Sequence, residues 1–168
     1  MTTTSAPQAS VRFERRYENA QVRDLWSLWT TREGFESWWG PQGFRVAVHK
    51  LDLRPGGELV YDMIASGPEQ IEFMKKANMP LSHTTRARFG AIDPLRRLEL
   101  VHVIDFVPGM QPYENQIRVE FSSEKGAARM TITVEAHSTP EWTQRATLGM
   151  ESQLTKVPGV LAAGAVRR

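Results

Sequence analysis

The chain has 168 residues, 40% of them hydrophobic and 24% charged, the size and make-up of one globular domain. Its 21 Lys and Arg against 19 Asp and Glu leave a net charge of +2, with no basic run longer than two residues, which argues against a dedicated nucleic-acid binder. The absence of cysteine excludes disulfide frameworks, thiolate nucleophiles and cysteine-held zinc or iron–sulfur centres.

The first ten residues (MTTTSAPQAS) lack the basic and apolar regions of a signal peptide and read as a disordered tail, 1–10, ahead of a single domain over 11–165. No apolar stretch approaches the length of a spanning helix, so the expected location is cytoplasmic. Residues 11–17 (VRFERRY) alternate apolar and charged side chains and predict a half-buried first strand. Asn19 stands as N-cap of a helix over 20–30, where Val22, Leu25, Trp26 and Trp29 recur at helical spacing. Thr30 and Glu33 form a capping-box pair that starts a short helix over 32–39, and Gly40-Pro41 stops it. From Phe44 the period becomes two: Phe44, Val46 and Val48 share one parity, while Leu51 and Leu53 take the other and place a bulge near Lys50. Arg54-Pro55-Gly56-Gly57 is turn chemistry leading into a partner strand over 58–65.

Residues 69–78 (EQIEFMKKAN) predict a short amphipathic helix with Phe73, Met74 and Ala77 on one side, ended by Asn78. Strands follow over 84–92, 95–106 and 113–122, and Glu124-Lys125-Gly126 turns the chain into a last strand over 127–137. Tyr113, Ile117, Val119 and Phe121 face away from Glu114, Gln116, Arg118 and Glu120, an alternation that predicts antiparallel strands with one wet face. Thr139 caps a long helix with Pro140 at its first position and an apolar stripe of Trp142, Ala146, Met150, Leu154 and Val157. That helix is expected to reach Val157, with Pro158-Gly159 ending or kinking it and 160–165 continuing weakly. The order predicts an α+β architecture: a seven-stranded antiparallel sheet around a long C-terminal helix, with two short helices after the first strand and one small inserted helix.

Several motifs carry a family likeness. Trp38-Trp39-Gly40-Pro41, Asp52-Leu53-Arg54-Pro55-Gly56-Gly57, Pro94 with Arg97-Leu98, Asp105-Phe106-Val107-Pro108-Gly109, and Gly149-Met150-Glu151-Ser152-Gln153-Leu154 before Lys156 resemble the activator of Hsp90 ATPase homologue 1-like branch of the START/Bet v 1-like (SRPBCC) superfamily. The resemblance spans nearly all of residues 11–157 and implies a helix-grip (Bet v 1-like) fold, a curved sheet gripping the C-terminal helix with an apolar cavity between them. Met150 stands where many relatives are aromatic, and Pro158 interrupts the helix end. The Arg54–Gly57 segment reads as a tight hairpin and no phosphate loop, and the tryptophan pair as core at the helix–sheet junction.

None of His49, His83, His102 and His137 forms a ligand pair at metal-binding spacing, so neither a metal nor a cofactor is expected. His102 shares parity with Leu98, Leu100 and Ile104, which turns it inward, either as a core histidine held by one hydrogen bond or as a polar anchor or acid/base for a ligand. Asn115 lies on the inward parity of the neighbouring strand, and the two would form a polar island in an apolar pocket. Strand parity and helical stripe place Trp29, Phe73, Met74, His102, Asn115, Met130 and Met150 around the cavity, Phe73 and Met74 on the reading that the 69–78 helix is a lid and not a packed edge. The first expected function is binding of a small hydrophobic molecule; second comes a cyclase- or dehydratase-like enzyme with His102 as acid/base; third, an Hsp90 co-chaperone. The third ranks last because one fold hosts many functions and no separate N-terminal domain of a eukaryotic Hsp90 activator accompanies this one. No nucleic-acid or membrane partner is expected, and a homodimer is left open.

Overall fold

Strand-period alternation in seven segments produces one antiparallel sheet in the computed structural model, which describes residues 10–164 apart from Phe106 and Pro108. In chain order the elements are β1 (Ser10–Glu18), α1 (Val22–Thr30), α2 (Arg32–Trp38), β2 (Phe44–Leu51), β3 (Glu58–Ala65), α3 (Pro68–Lys76), β4 (Ser82–Asp93), β5 (Arg97–Ile104), β6 (Tyr113–Glu124), β7 (Ala127–Glu135), α4 (Pro140–Leu154) and α5 (Val157–Ala163). The strand order is β1-β7-β6-β5-β4-β3-β2 and every pair is antiparallel. Ser10, expected in the tail, already pairs with Glu135, while residues 1–9 and Ala165 lie outside the described residues.

Both helix starts differ from expectation for the same reason: an N-cap residue must be extended. Asn19 has φ 58 and sits in a turn, donating its N–H to Gly126 O at 2.8 Å. The extended residue before α1 is Gln21, whose N–H donates to Asp24 Oδ2 at 3.0 Å. Thr30 is still helical and donates its hydroxyl to Trp26 O, so the cap of α2 falls to Thr31, which accepts from Gly34 N at 3.0 Å. The bulge falls between Val48 and Lys50, at His49, and the Val48 N–H donates to Glu36 Oε2 of α2 at 2.8 Å. Leu95, expected to open a strand, has φ 66 in the preceding turn, so β5 begins at Arg97 and ends at Ile104; Phe106 lies outside the described residues. In the Arg54–Gly57 turn, a Cβ on Gly57 would lie 2.0 Å from Asp52 O, and Gly56 takes φ 81.

The C-terminal helix does not reach Val157. It ends at Leu154, and after a turn at Thr155-Lys156 a second helix starts at Val157 with Pro158 in its first turn. Proline costs nothing there, because the first N–H groups of a helix have no partner anyway. The end of α4 is fastened to the loop after α2: Gly40 N donates to Gln153 Oε1 (2.9 Å), Gln42 N to Ser152 Oγ (2.8 Å), and Lys156 Nζ to Phe44 O (3.2 Å). The buried residues of α4 are Met150, Gln153 and Leu154, all near that end, whereas Trp142 and Ala146 of the expected stripe are half-buried.

The α1–α2 joint is tight enough to test. A Cβ on Gly34 would sit 1.9 Å from Ser27 O, and a backbone carbonyl cannot swing away. Gly34→Ala should lower unfolding free energy by at least about 2 kcal/mol. Gly149→Ala in α4, where the nearest atom is Pro41 Cγ at 4.0 Å, should raise it by roughly 0.5–1 kcal/mol through helix propensity. Urea titration of the two variants beside the parent protein checks both signs.

Candidate functional site

Because α4 is fastened at its C-terminal end, its N-terminal half leaves a space above the sheet, a cavity of about 700 Å³. Phe13, Ile117 and Val134 supply its sheet wall, Trp142, Ala146 and Met150 its helix wall, and Met63, Met74 and Met79 one side. Methionine is unbranched and polarisable, so such a lining adapts to varied shapes.

A buried polar cluster is set into this surface. Tyr61 shares the inward parity of Leu59 on β3, and His102 that of Leu100 on β5, so both rings enter the interior. Trp39 follows α2 in extended conformation and lays its ring parallel to His102, with centroids 5.8 Å apart. Trp39 Nε1 donates to Tyr61 Oη at 3.0 Å, and Tyr61 Oη lies 2.9 Å from His102 Nε2. Burial pushes His102 down to about 4, with the charge of His137 adding to the effect, and the same burial raises the Tyr61 phenol. Both rings are therefore neutral near pH 7. An indole can only donate, and the Thr85 hydroxyl acts on Tyr61 as a second donor, so both lone pairs of the phenol are taken and its own proton goes to Nε2. The hydrogen-bond partners thus assign the His102 proton to Nδ1.

Asn115 stands directly opposite His102 in the β5–β6 register and donates from Nδ2 to Glu135 O at 2.9 Å. Elsewhere in the lining, His137 Nδ1 pairs with Tyr113 Oη at 2.7 Å, and His83 Nε2 lies 3.5 Å from Asp105. Arg145 lies over the Trp142 ring at 5.1 Å and pairs with Glu141 at 3.0 Å.

Of the residues expected around the cavity, Met74, His102, Asn115 and Met150 line it. Trp29 and Met130 do not: both are fully buried where α1 packs on β6 and β7, and Trp29 Nε1 donates to Met130 Sδ at 3.2 Å. Inward parity is the same for both parts of the sheet and cannot separate them. Phe73 is 65% exposed, because α3 buries no side chain and turns Met74, one residue on, to the cavity. Tyr61 and Trp39 were missed as site residues; the shared parity of Leu59, Tyr61 and Met63 was the available signal for the first. Among the described residues no cluster of three His, Asp or Glu is placed to hold a metal ion, and no helix is long and apolar enough to cross a membrane.

The depressed His102 carries a stability consequence. Between about pH 6.5 and 4 the unfolded chain takes up a proton on this residue that the folded chain refuses, so acidification favours unfolding. The native state should lose on the order of 3 kcal/mol as pH falls through that window. His102→Gln should flatten the loss, read by urea titrations at pH 7, 5.5 and 4; an equally steep loss in the variant would place its source elsewhere.

Comparison with known proteins places this geometry in a group. A solved structure from Arthrobacter aurescens superposes with a TM-score of 0.73 at 20% identity, over 96% of this chain and 93% of that one. One from Chromobacterium violaceum gives 0.71 at 18% identity over 90% and 95%, and one from Mycobacterium smegmatis 0.69 at 19% over 92% and 91%. These likenesses show the helix-grip fold, the curled seven-stranded sheet with its long C-terminal helix. No curated protein matches the sequence significantly. The model of one family, described as Activator of Hsp90 ATPase homolog 1-like protein, matches residues 19–162, from the turn before α1 into α5. The chain belongs to the activator of Hsp90 ATPase homolog 1-like family, within the SRPBCC superfamily.

Proposed function

We propose that the protein binds a small hydrophobic molecule in the cavity between α4 and the sheet, for carriage, sensing or sequestration. The observation that carries this reading is a space of about 700 Å³ with a mainly apolar wall, into which a buried neutral cluster, Trp39–Tyr61–His102 with Asn115, is set, and which Glu135, His137 and Arg145 also border. The space is open to solvent rather than sealed, which gives a small molecule a way in to the apolar wall. Its volume falls within the range of small-molecule sites, and an apolar wall with a few convergent polar groups is their common design.

The enzyme alternative, a cyclase- or dehydratase-like reaction on His102, is less well supported. A general acid or base works best with a pKa near the working pH. His102, held near 4, has no proton to give as an acid at pH 7 and is a weak base. The Hsp90 co-chaperone reading rests on the family's description alone.

Nile red, a neutral dye whose emission rises in apolar surroundings, tests the binding reading. The protein should bind it, and Ala146→Trp, which puts a large ring into the cavity from α4, should weaken binding at least tenfold. The same variant should keep or raise the melting temperature, since the ring fills empty space. Failure of the parent protein to bind, or equal binding by the variant, would overturn the reading. An Hsp90 complex formed by a protein that takes no dye would favour the co-chaperone role.

A further inference from the structure

We infer that the cavity selects ligands whose polar end is uncharged and carries both a hydrogen-bond acceptor and a donor, such as a carboxamide or a hydroxyl, and disfavours carboxylates. The inference rests on the binding reading above and adds the chemistry of the head group.

His102 and Asn115 are 5% and 3% exposed and face each other on β5 and β6. Each has one polar atom engaged by the protein: His102 Nε2 by Tyr61, and Asn115 Nδ2 by Glu135 O. Each has one left over. Among the described residues, no group hydrogen-bonds His102 Nδ1 or Asn115 Oδ1. Both residues line the cavity, where these are the polar atoms they have left to offer a bound molecule.

The identity of each open atom follows from its engaged neighbour. Nε2 accepts the Tyr61 proton, so Nδ1 carries hydrogen and donates. Nδ2 donates to Glu135 O, so Oδ1 accepts. A donor and an acceptor on adjacent strands match the acceptor and donor on one edge of a carboxamide, or the two roles of a single hydroxyl.

A carboxylate fits this pair badly. One of its oxygens would accept from Nδ1, but the other would face Oδ1, acceptor against acceptor. No cation offsets its lost hydration at this end. Of the described lining residues, the acidic and basic side chains other than histidine are Glu135 and Arg145. The first is an anion whose own carbonyl holds Asn115; the second, exposed on α4, is paired with Glu141. Tyr61 and Thr85, beside His102, are neutral. Burying an ion without a partner costs far more than burying a neutral polar group whose hydrogen bonds are met.

The test uses the unaltered protein and three probes on one scaffold: biphenyl-4-carboxamide, biphenyl-4-ol and biphenyl-4-carboxylate, competing with Nile red at pH 7.5. The carboxamide and carboxylate are nearly the same shape, so their difference reports charge and donor pattern and not size. The carboxamide should bind at least tenfold more tightly than the carboxylate, with the phenol also ahead of it. A carboxylate that binds as well as the carboxamide would overturn the inference and leave the binding reading standing. So would Nile red binding that none of the three displaces. If Nile red itself does not bind, the binding reading fails and takes this inference with it.

Discussion

The hydrogen bond between Trp39 and Tyr61, 3.0 Å between indole nitrogen and phenol oxygen, connects the pieces of this fold. On one side Tyr61 reaches His102, linking β3 to β5 across the intervening strand. On the other, Trp39 ends the helical hairpin, with its ring stacked on Phe35 at 4.8 Å and edge-on to Trp29 at 5.4 Å. The next residue, Gly40, donates its N–H to Gln153 and so fastens α4. Sheet, hairpin and C-terminal helix are thereby joined through consecutive residues. A buried phenol or imidazole left without a partner would cost about 1–3 kcal/mol each, which favours this one arrangement of the three parts.

The joint also divides the interior. On one side of it the α1–α2 hairpin packs solidly on the sheet, as in the edge-on contact of Trp26 with Phe121 at 5.5 Å. On the other, α4 spans open space. Strand β6 crosses the divide with one unbroken parity: Asn115 and Ile117 line the cavity, while Val119 and Phe121 belong to packed core. On β7 Val134 is cavity wall, while Met130, four residues earlier, is core.

That geometry explains what could be read from the sequence. Alternation is a local signal, and it placed His102 and Asn115 inward on neighbouring strands and identified seven antiparallel strands. It says nothing about which helix covers a given inward position, which is why Trp29 and Met130 were placed at the cavity although they lie beneath α1. Phe73 went astray for a related reason: a stripe on a nine-residue helix tolerates a rotation that exchanges it with Met74. Tyr61 needed long-range information, because its role depends on an indole 22 residues earlier and an imidazole 41 residues later. Cap positions were off by one or two residues where Asn19 and Thr30 have cap-forming side chains but not the extended backbone a cap requires.

α4 is clamped at its C-terminal end to the loop after α2 and joined at the other to the end of β7, where the His137 N–H donates to Thr143 Oγ1 at 2.8 Å. Its 15 residues span about 22 Å, so a tilt of about 5° around the clamped end displaces the far turn by roughly 2 Å. Such a tilt enlarges or narrows the chamber beneath while the Gln153 and Ser152 clamps, the aromatic joint and the packed hairpin stay as they are. On the binding reading, a molecule of larger girth would therefore press first on the opening turn of α4 and its link to β7, and only then on the packed core.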